Sequence, residues 1–213
     1  MSAASIALTD QLHTQIRDHL SKLERRSVDD PDLRRAAVAI VVTDDVERGL
    51  ACVLLTLRPM TIKRHANQYA IPGGRLDEGE GPAEAALREL SEELGVNLRA
   101  ERIIGYLDDF PTRSGFCITP VVVWGGPGLE IDPDPDEVAT VHRIPLDELN
   151  SPDIPILTPV DDGEHPILSA HIPTLGHEVW APTAAILYQF REIALRGEMT
   201  RVYFYEQPAF ARK

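Results

Sequence analysis

The chain has 213 residues, 43% of them hydrophobic and 26% charged, which suits a folded domain with a sizeable core. A formal net charge of −13 leaves no broad basic surface for nucleic acid, so no nucleic-acid partner is expected. No apolar run is long enough to span a membrane and the first residues lack a basic lead before an apolar core; the expectation is a cytoplasmic protein without a membrane partner.

Thr9 is placed to cap a first helix, in which Leu12, Ile16, Leu20 and Leu23 recur at helical spacing to about Arg26. Its charges are mixed, so the helix is expected to pack on the domain's own core or on a second subunit, and a homodimer is compatible with it. The stretch DDPDL breaks the pattern, making residues 1–32 a helical extension and 33–213 the main domain. Residues 36–43 and 51–58 read as a β-hairpin across DDVERG. YAIP reads as a short strand ended by Pro72 and the pair Gly73–Gly74. Pro82 opens a helix with Gly81 as N-cap and Glu84 able to reach back to it, and Gly95 closes it. RIIGYLDDF, FCITPVVVW and VATVHRIPL read as strands, and LDELN as one short helical turn. HPILSAHIP and HEVWA are expected to pair across TLG. A last helix is expected from Pro182 to about Arg196, with Ile186, Leu187, Phe190 and Ile193 on one face and Gly197 at its end. Hairpin strands mixed with a few helices point to an α/β sandwich with a mixed sheet. Cys52 and Cys117 lie in apolar runs without metal or CxxC spacing, as buried thiols of a reducing compartment would.

The helix from Pro82 carries the chemistry. At about 100° per residue, Ala83, Leu87, Leu90 and Leu94 form an apolar stripe, with Glu89, Glu92 and Glu93 on the other side and Arg88 at the edge, next to Glu92 at i+4. Like charges at i+3 and i+4 cost a few tenths of a kcal/mol per pair. Acids in the last turn also oppose the helix dipole, at about 0.3–1 kcal/mol each. A sequence that accepts this has a compensating cation, and clustered carboxylates suit hard Mg²⁺ or Mn²⁺. Gly73 and Gly74 let backbone and ligand approach closely, and Glu80 can point back to the same cluster.

The segment Gly74–Val96, GRLDEGEGPAEAALRELSEELGV, resembles the Nudix box. Gly74, Glu80, Arg88, Glu89, Leu90, Glu92, Glu93, Gly95 and Val96 fill every specified position. The resemblance implies a Nudix-type α/β/α sandwich and hydrolysis of a nucleoside diphosphate linked to another group, a small-molecule diphosphate substrate. It further implies that Glu89, Glu92 and Glu93 bind divalent metal with Glu80 and the Gly73 carbonyl nearby, that Arg88 holds the glutamates by pairing, and that Glu89 or Glu92 takes the proton from water. Asp136 and Glu137 are loop candidates for that last role.

The preceding flank, Leu54–Gly74, is similar to the signature that precedes the box in coenzyme A pyrophosphatases. Leu54, Leu55, Thr56, Arg58, Pro72, Gly73 and Gly74 match it, while Pro59, Lys63, Asn67 and Ile71 depart from it. Thr112–Val122 and Val179–Leu187 also look like segments of that branch. Arg58, Lys63 and Arg64, with His65, form a basic cluster suited to phosphate, beside Gly74. Tyr69, Phe110 and Phe116 are either base-stacking or core residues. The expected substrate is coenzyme A or a similar compound; ADP-ribose, dinucleotides or nucleoside triphosphates are the alternatives, and a nucleotide sensor without turnover is a third reading.

Overall fold

The computed structural model describes residues 5–60, 68–160 and 164–208. Its centre is strand β1 (Arg34–Asp45), an apolar run buried on both faces. β1 turns through Val46–Gly49 into β2 (Leu50–Leu57), the expected hairpin, with Val42 opposite Val53 and Asp45 opposite Leu50. On its other side β1 runs parallel to β7 (Phe116–Gly126). β3 (Tyr69–Ala70) and β8 (Thr140–Pro145) pair with β2, β4 (Gly73–Arg75) pairs with β1, and β5 (Ile103–Tyr106) and β6 (Phe110–Pro111) pair with β7, all antiparallel. This is a mixed sheet of eight strands.

The period of two along β1 sorts its side chains onto two cores. Ala37, Ala39 and Val41 meet Ala86, Leu90 and Leu94 of helix α2 (Pro82–Leu94), while Ile40 and Val42 face the opposite layer. That layer holds helix α1 (Asp10–Ser21) and helix α4 (Thr183–Phe190), which continues as a π-helical turn over Arg191–Leu195. Helices on both faces make an α/β/α sandwich, and explain why β1 and β7 read as continuous hydrophobic runs rather than alternating ones. After β8 comes the short helix α3 (Leu146–Leu149), then a separate antiparallel sheet of β9 (Ile156–Thr158), β10 (Ile167–Ile172) and β11 (His177–Trp180). β10 and β11 pair across the Thr174–Gly176 turn as expected, whereas β9 had no sequence expectation.

Three boundaries differ from the sequence reading. Gly73–Arg75 is a strand rather than a turn, because only glycine lets the chain approach β1 this closely: a Cβ on Gly73 (φ +151°) would overlap the Ala37 carbonyl oxygen and stand 2.6 Å from Val38 Cα. The last helix widens into the π turn, where buried Arg191 donates to the Ser151 and Ile154 carbonyls at 2.8 and 2.6 Å. α1 stops at Ser21 instead of Arg26, because the following N–H groups find better acceptors in the fold. The Arg26 N–H donates to Asp108 Oδ1 (2.7 Å) and the Val28 N–H to Asp109 Oδ2 (3.0 Å).

These two buried carboxylates tie together chain segments far apart in sequence. Asp108 also receives Gln189 Nε2 at 2.7 Å and Arg201 Nη1 at 2.5 Å. Asp109 receives Thr119 Oγ1 at 2.6 Å, Arg25 at 2.5 Å and Arg35 at 3.2 Å. α1 itself packs on the chain's own core: Ile16 is fully buried, and Leu20 sits so close to Gly105 of β5 that a Cβ there would stand 2.8 Å from Leu20 Cβ. Cys52 and Cys117 are buried free thiols, both pushed up to about 11 by burial. Among the described residues no helix is long and apolar enough to cross a membrane.

Burial alone would raise the Asp109 carboxyl, but donation from Thr119 and Val28 and the charge of Arg25 outweigh it and hold the group below its ordinary range. A carboxyl lowered on folding stabilises fully above its unfolded pKa and loses that contribution as pH falls through its folded pKa. Asp109→Asn is expected to reduce the unfolding free energy at pH 7 by about 2–3 kcal/mol. In urea titrations the gap to the parent should narrow as pH drops below about 4; a constant gap from pH 7 to pH 3 would show that the charge plays no part.

Candidate active site

Local signals set α2 on the sheet. Pro82 occupies the first helical position, and Glu84 accepts the Gly81 N–H at 2.7 Å. Gly95 (φ +65°) closes the helix, its N–H and that of Val96 returning to Ser91 and Leu90 carbonyls. Two further carbonyls of the last turn are covered by the acidic loop that follows β7: the Asp132 N–H donates to Leu94 O at 2.9 Å and the Asp134 N–H to Glu93 O at 3.0 Å.

Arg88 is the hub of the acids on this helix. Its five N–H donors make five hydrogen bonds: Nε and Nη2 to the two Glu80 oxygens (2.9 and 3.0 Å), Nη1 to Glu89 (2.9 Å) and Glu92 (2.8 Å), and Nη2 to the Arg75 carbonyl (2.9 Å). Their charge holds the guanidinium protonated, and Arg88 in turn lowers Glu80. The three carboxylates hydrogen-bonded to this guanidinium leave a formal excess of two negative charges, and exposed Asp77 stands 3.7 Å from its Nε as well.

The three acids of the helix differ sharply in setting. The Glu92 side chain is 55% exposed. Glu89 is half-buried, and burial raises it despite Arg88. Its carboxylate lies against Gly74 so closely that a Cβ at that position would overlap Glu89 Oε1. Glu93 is 3% exposed, receives the Gly73 N–H at 3.2 Å and faces Arg58 at 3.7 Å. Burial pushes it up to about 7; Arg58 opposes that, and the charges of Glu89 and Glu137 add to it. The acids therefore do not share one solvated face: Glu93 turns in toward the sheet, next to the apolar stripe.

Beside this network lies a cleft of about 860 Å³. Gly73, Gly74 and Arg58 line it; Glu89 abuts Gly74, and Glu93 contacts Gly73 and faces Arg58, while none of the helix acids is itself among the described lining residues. The Arg58 Nε is buried without a hydrogen-bond partner. Tyr69 and Phe116 also line the cleft, whereas Phe110 is core. Asp136 and Glu137 are exposed on the loop beyond α2. Lys63 and Arg64, with His65 and Asn67, lie outside the described residues. Sequence reasoning missed Arg75, whose carbonyl anchors Arg88 and whose guanidinium stands 5.2 Å from the Phe116 ring centroid, and it missed Gln207. Neither has a local signal, since each reaches the cleft only through strand pairing or the path of the tail.

The donors suit a hard divalent ion by chemistry: carboxylates of Glu89, Glu92 and Glu93 on one helix, an excess of negative charge, and glycines leaving space beside them. Among the described residues no three acid, histidine or cysteine side chains already stand as a metal cluster. Arg88 Nη1 donates to one oxygen each of Glu89 and Glu92.

Residues 33–163, more than half of the chain, match the NUDIX domain model. A protein of Cronobacter sakazakii, "Uncharacterized Nudix hydrolase NudL", is 41% identical over 116 residues, 54% of this chain and 59% of that protein. A protein of the same name from Photorhabdus laumondii is 30% identical over 173 residues, 81% of this chain and 73% of its own length. "Nudix hydrolase 3" of Caenorhabditis elegans is 37% identical over 58% of this chain and 53% of that protein. The chain thus spans little more than half the length of the first and last of these relatives. A MutT/nudix family protein of Enterococcus faecalis has a similar structure, with a TM-score of 0.46 and 17% identity over 77% of this chain and 59% of that one. The chain belongs to the Nudix family.

The two glycines are expected to fail differently when substituted. Gly73→Ala forces a side chain into β1 backbone at a positive φ and should cost at least about 2 kcal/mol in urea unfolding. Gly74→Ala meets only the movable end of Glu89 and should cost clearly less. A Gly73→Ala protein as stable as its parent would contradict the close β4–β1 approach.

Proposed function

We propose that this member of the Nudix family is a Mg²⁺- or Mn²⁺-dependent hydrolase that cleaves the diphosphate bond of a nucleoside diphosphate-linked small molecule, coenzyme A or a similar compound foremost. The observation that carries the reading is the junction of Arg88, Glu80, Glu89 and Glu92 with the glycine floor of a large cleft. A diphosphate lying on Gly73–Gly74 has Arg58 within the same cleft as a donor, and its phosphate oxygens can satisfy the buried Nε.

Glu89, Glu92 and Glu93, with Glu80 and the Gly73 carbonyl near them, would hold the metal, which when bound supplies Lewis-acid polarisation of the phosphoryl oxygens and a more acidic water. Arg88 fixes the rotamers of Glu89 and Glu92, so their oxygens are placed before substrate arrives. Glu89 is the better placed proton acceptor of the two, because its carboxylate abuts Gly74, one of the glycines that line the cleft, while Glu92 faces solvent. Water attack at phosphorus forms one P–O bond and breaks the bridging P–O bond. The water proton passes to the carboxylate, and two monophosphate products leave.

The coenzyme A branch is supported by position. Arg58, and residues of both Thr112–Val122 and Val179–Leu187, line the cleft. Its volume lies toward the upper end of small-molecule sites, giving space for a group beyond the diphosphate.

Chelation should abolish hydrolysis and Mg²⁺ or Mn²⁺ should restore it. Glu89→Gln is expected to lower kcat by about 10²–10⁴-fold, and Glu93→Gln by orders of magnitude, with the circular-dichroism spectrum unchanged; a fully active Glu93→Gln protein would sink the mechanism. In a product assay over coenzyme A, NADH, ADP-ribose and nucleoside triphosphates, coenzyme A should be preferred and should yield 4′-phosphopantetheine and 3′,5′-ADP. Equal turnover across the panel would remove the coenzyme A assignment and leave the general one.

A further inference from the structure

Residues beyond 163 lie outside the stretch matched by the family model, yet they build one side of the cleft. β11 brings Glu178 and Trp180 to it, the start of α4 brings Ile186, and the tail brings Gln207. The tail is fastened in place. The Glu206 N–H donates to Pro166 O at 3.0 Å, and Glu206 pairs with Arg113. Gln207 accepts the Arg113 N–H and donates to Pro111 O, both at 3.2 Å, and is 5% exposed. The backbone of this wall is held by strand pairing and helix packing, and the tail by these bonds.

The charges lining the cleft are unevenly distributed. The arginines, Arg58 and Arg75, come from β2's end and from β4, beside the glycine floor. The wall formed by residues 177–186 and Gln207 has no lysine or arginine among its described lining residues. Its titratable groups there are the carboxylate of Glu178 and the imidazole of His177, both exposed at the rim. The rest of this wall is apolar or uncharged, with Val179, Ala181 and Ile186 among it. A diphosphate is therefore met by cations at the floor, while a further anionic group reaching the opposite wall meets the Glu178 carboxylate and no cation among the described lining residues. An anion brought beside a like charge is disfavoured relative to a neutral group of the same size, even at a solvated rim.

We infer that this C-terminal wall sets substrate choice, with Glu178 rejecting substrates whose group beyond the diphosphate carries another phosphate or carboxylate, so that an uncharged and largely aliphatic group is selected. The inference rests on the proposed diphosphatase reading of the same cleft. Glu178 is a specificity residue and touches none of the reacting atoms in this scheme.

The test uses two ADP esters that differ only at the far end of an alkyl chain on the terminal phosphate, one ending in a hydroxyl and the other in a phosphate. The parent should favour the hydroxyl ester by at least about tenfold in kcat/KM, and Glu178→Lys should shrink that ratio by about tenfold. Glu178 is exposed on an edge strand, so the substitution leaves the core untouched. Equal kcat/KM for the two esters in the parent, or an unchanged ratio in Glu178→Lys, overturns the inference. Binding followed by tryptophan fluorescence, with Trp180 in the cleft, reads the same preference without turnover. If neither ester is hydrolysed with Mg²⁺ or Mn²⁺, the diphosphatase reading fails, and the ratio of binding constants still decides for or against Glu178.

Discussion

The guanidinium of Arg88 constrains the site more than any other group. With all five donors committed, it joins the loop before α2 through Glu80, strand β4 through the Arg75 carbonyl, and α2 itself through Glu89 and Glu92. Such an arrangement admits one rotation of the helix about its axis. That same rotation presses Ala86, Leu90 and Leu94 into the sheet and turns Glu93 inward against Gly73. Core packing and acid placement are thus one constraint: a helix rotated to relieve the buried Glu93 would expose Leu90 and break the hub. The close fit of Gly74 beneath Glu89 belongs to the same geometry, because any side chain there would lift the helix or displace the carboxylate.

The opposite layer is held by different physics. α1 and α4 contribute apolar side chains to a shared core, but their connections are fastened by Asp108 and Asp109. Buried carboxylates are costly unless each oxygen is satisfied. Here each receives backbone N–H groups from the segment after α1 together with arginine or glutamine side chains, so the requirement is met only when the N-terminal segment, β7 and the tail are all in place. The tail that these bonds anchor goes on to Gln207 at the cleft. Folding of the periphery and completion of the cleft wall are coupled in this way.

Much of this was legible in the sequence where signals are local. α2 was bounded at Pro82 and Leu94 because capping residues, periodicity and a terminal glycine agree. The hairpin of β1 and β2 followed from apolar runs around a polar turn. Where a tertiary partner outbid local preference, the sequence misled: periodicity carried α1 to Arg26, but Asp108 captured the Arg26 N–H and Asp109 that of Val28 just beyond it, and Gly73–Gly74 looked like the end of a strand because its pairing with β1 is invisible along the chain. The helical wheel grouped Glu93 with Glu89 and Glu92, yet its angle also borders Ala86 and Leu90. Only the position of the sheet decides that it is buried. The far wall of the cleft was legible only as quoted segments, without their juxtaposition.

The apparent flaw of the sequence, three acids at the end of a helix where the dipole opposes them, has a physical answer that does not need the metal alone. The Leu90, Ser91, Glu93 and Leu94 carbonyls at the negative end of the dipole are covered by the N–H groups of Val96, Gly95, Asp134 and Asp132. Arg88 neutralises one charge of the cluster, and Arg58 faces the buried Glu93. What remains is a residual negative charge beside a cleft whose floor is backbone and glycine. An excess of negative charge held on carboxylate oxygens is the electrostatic setting that hard divalent cations favour.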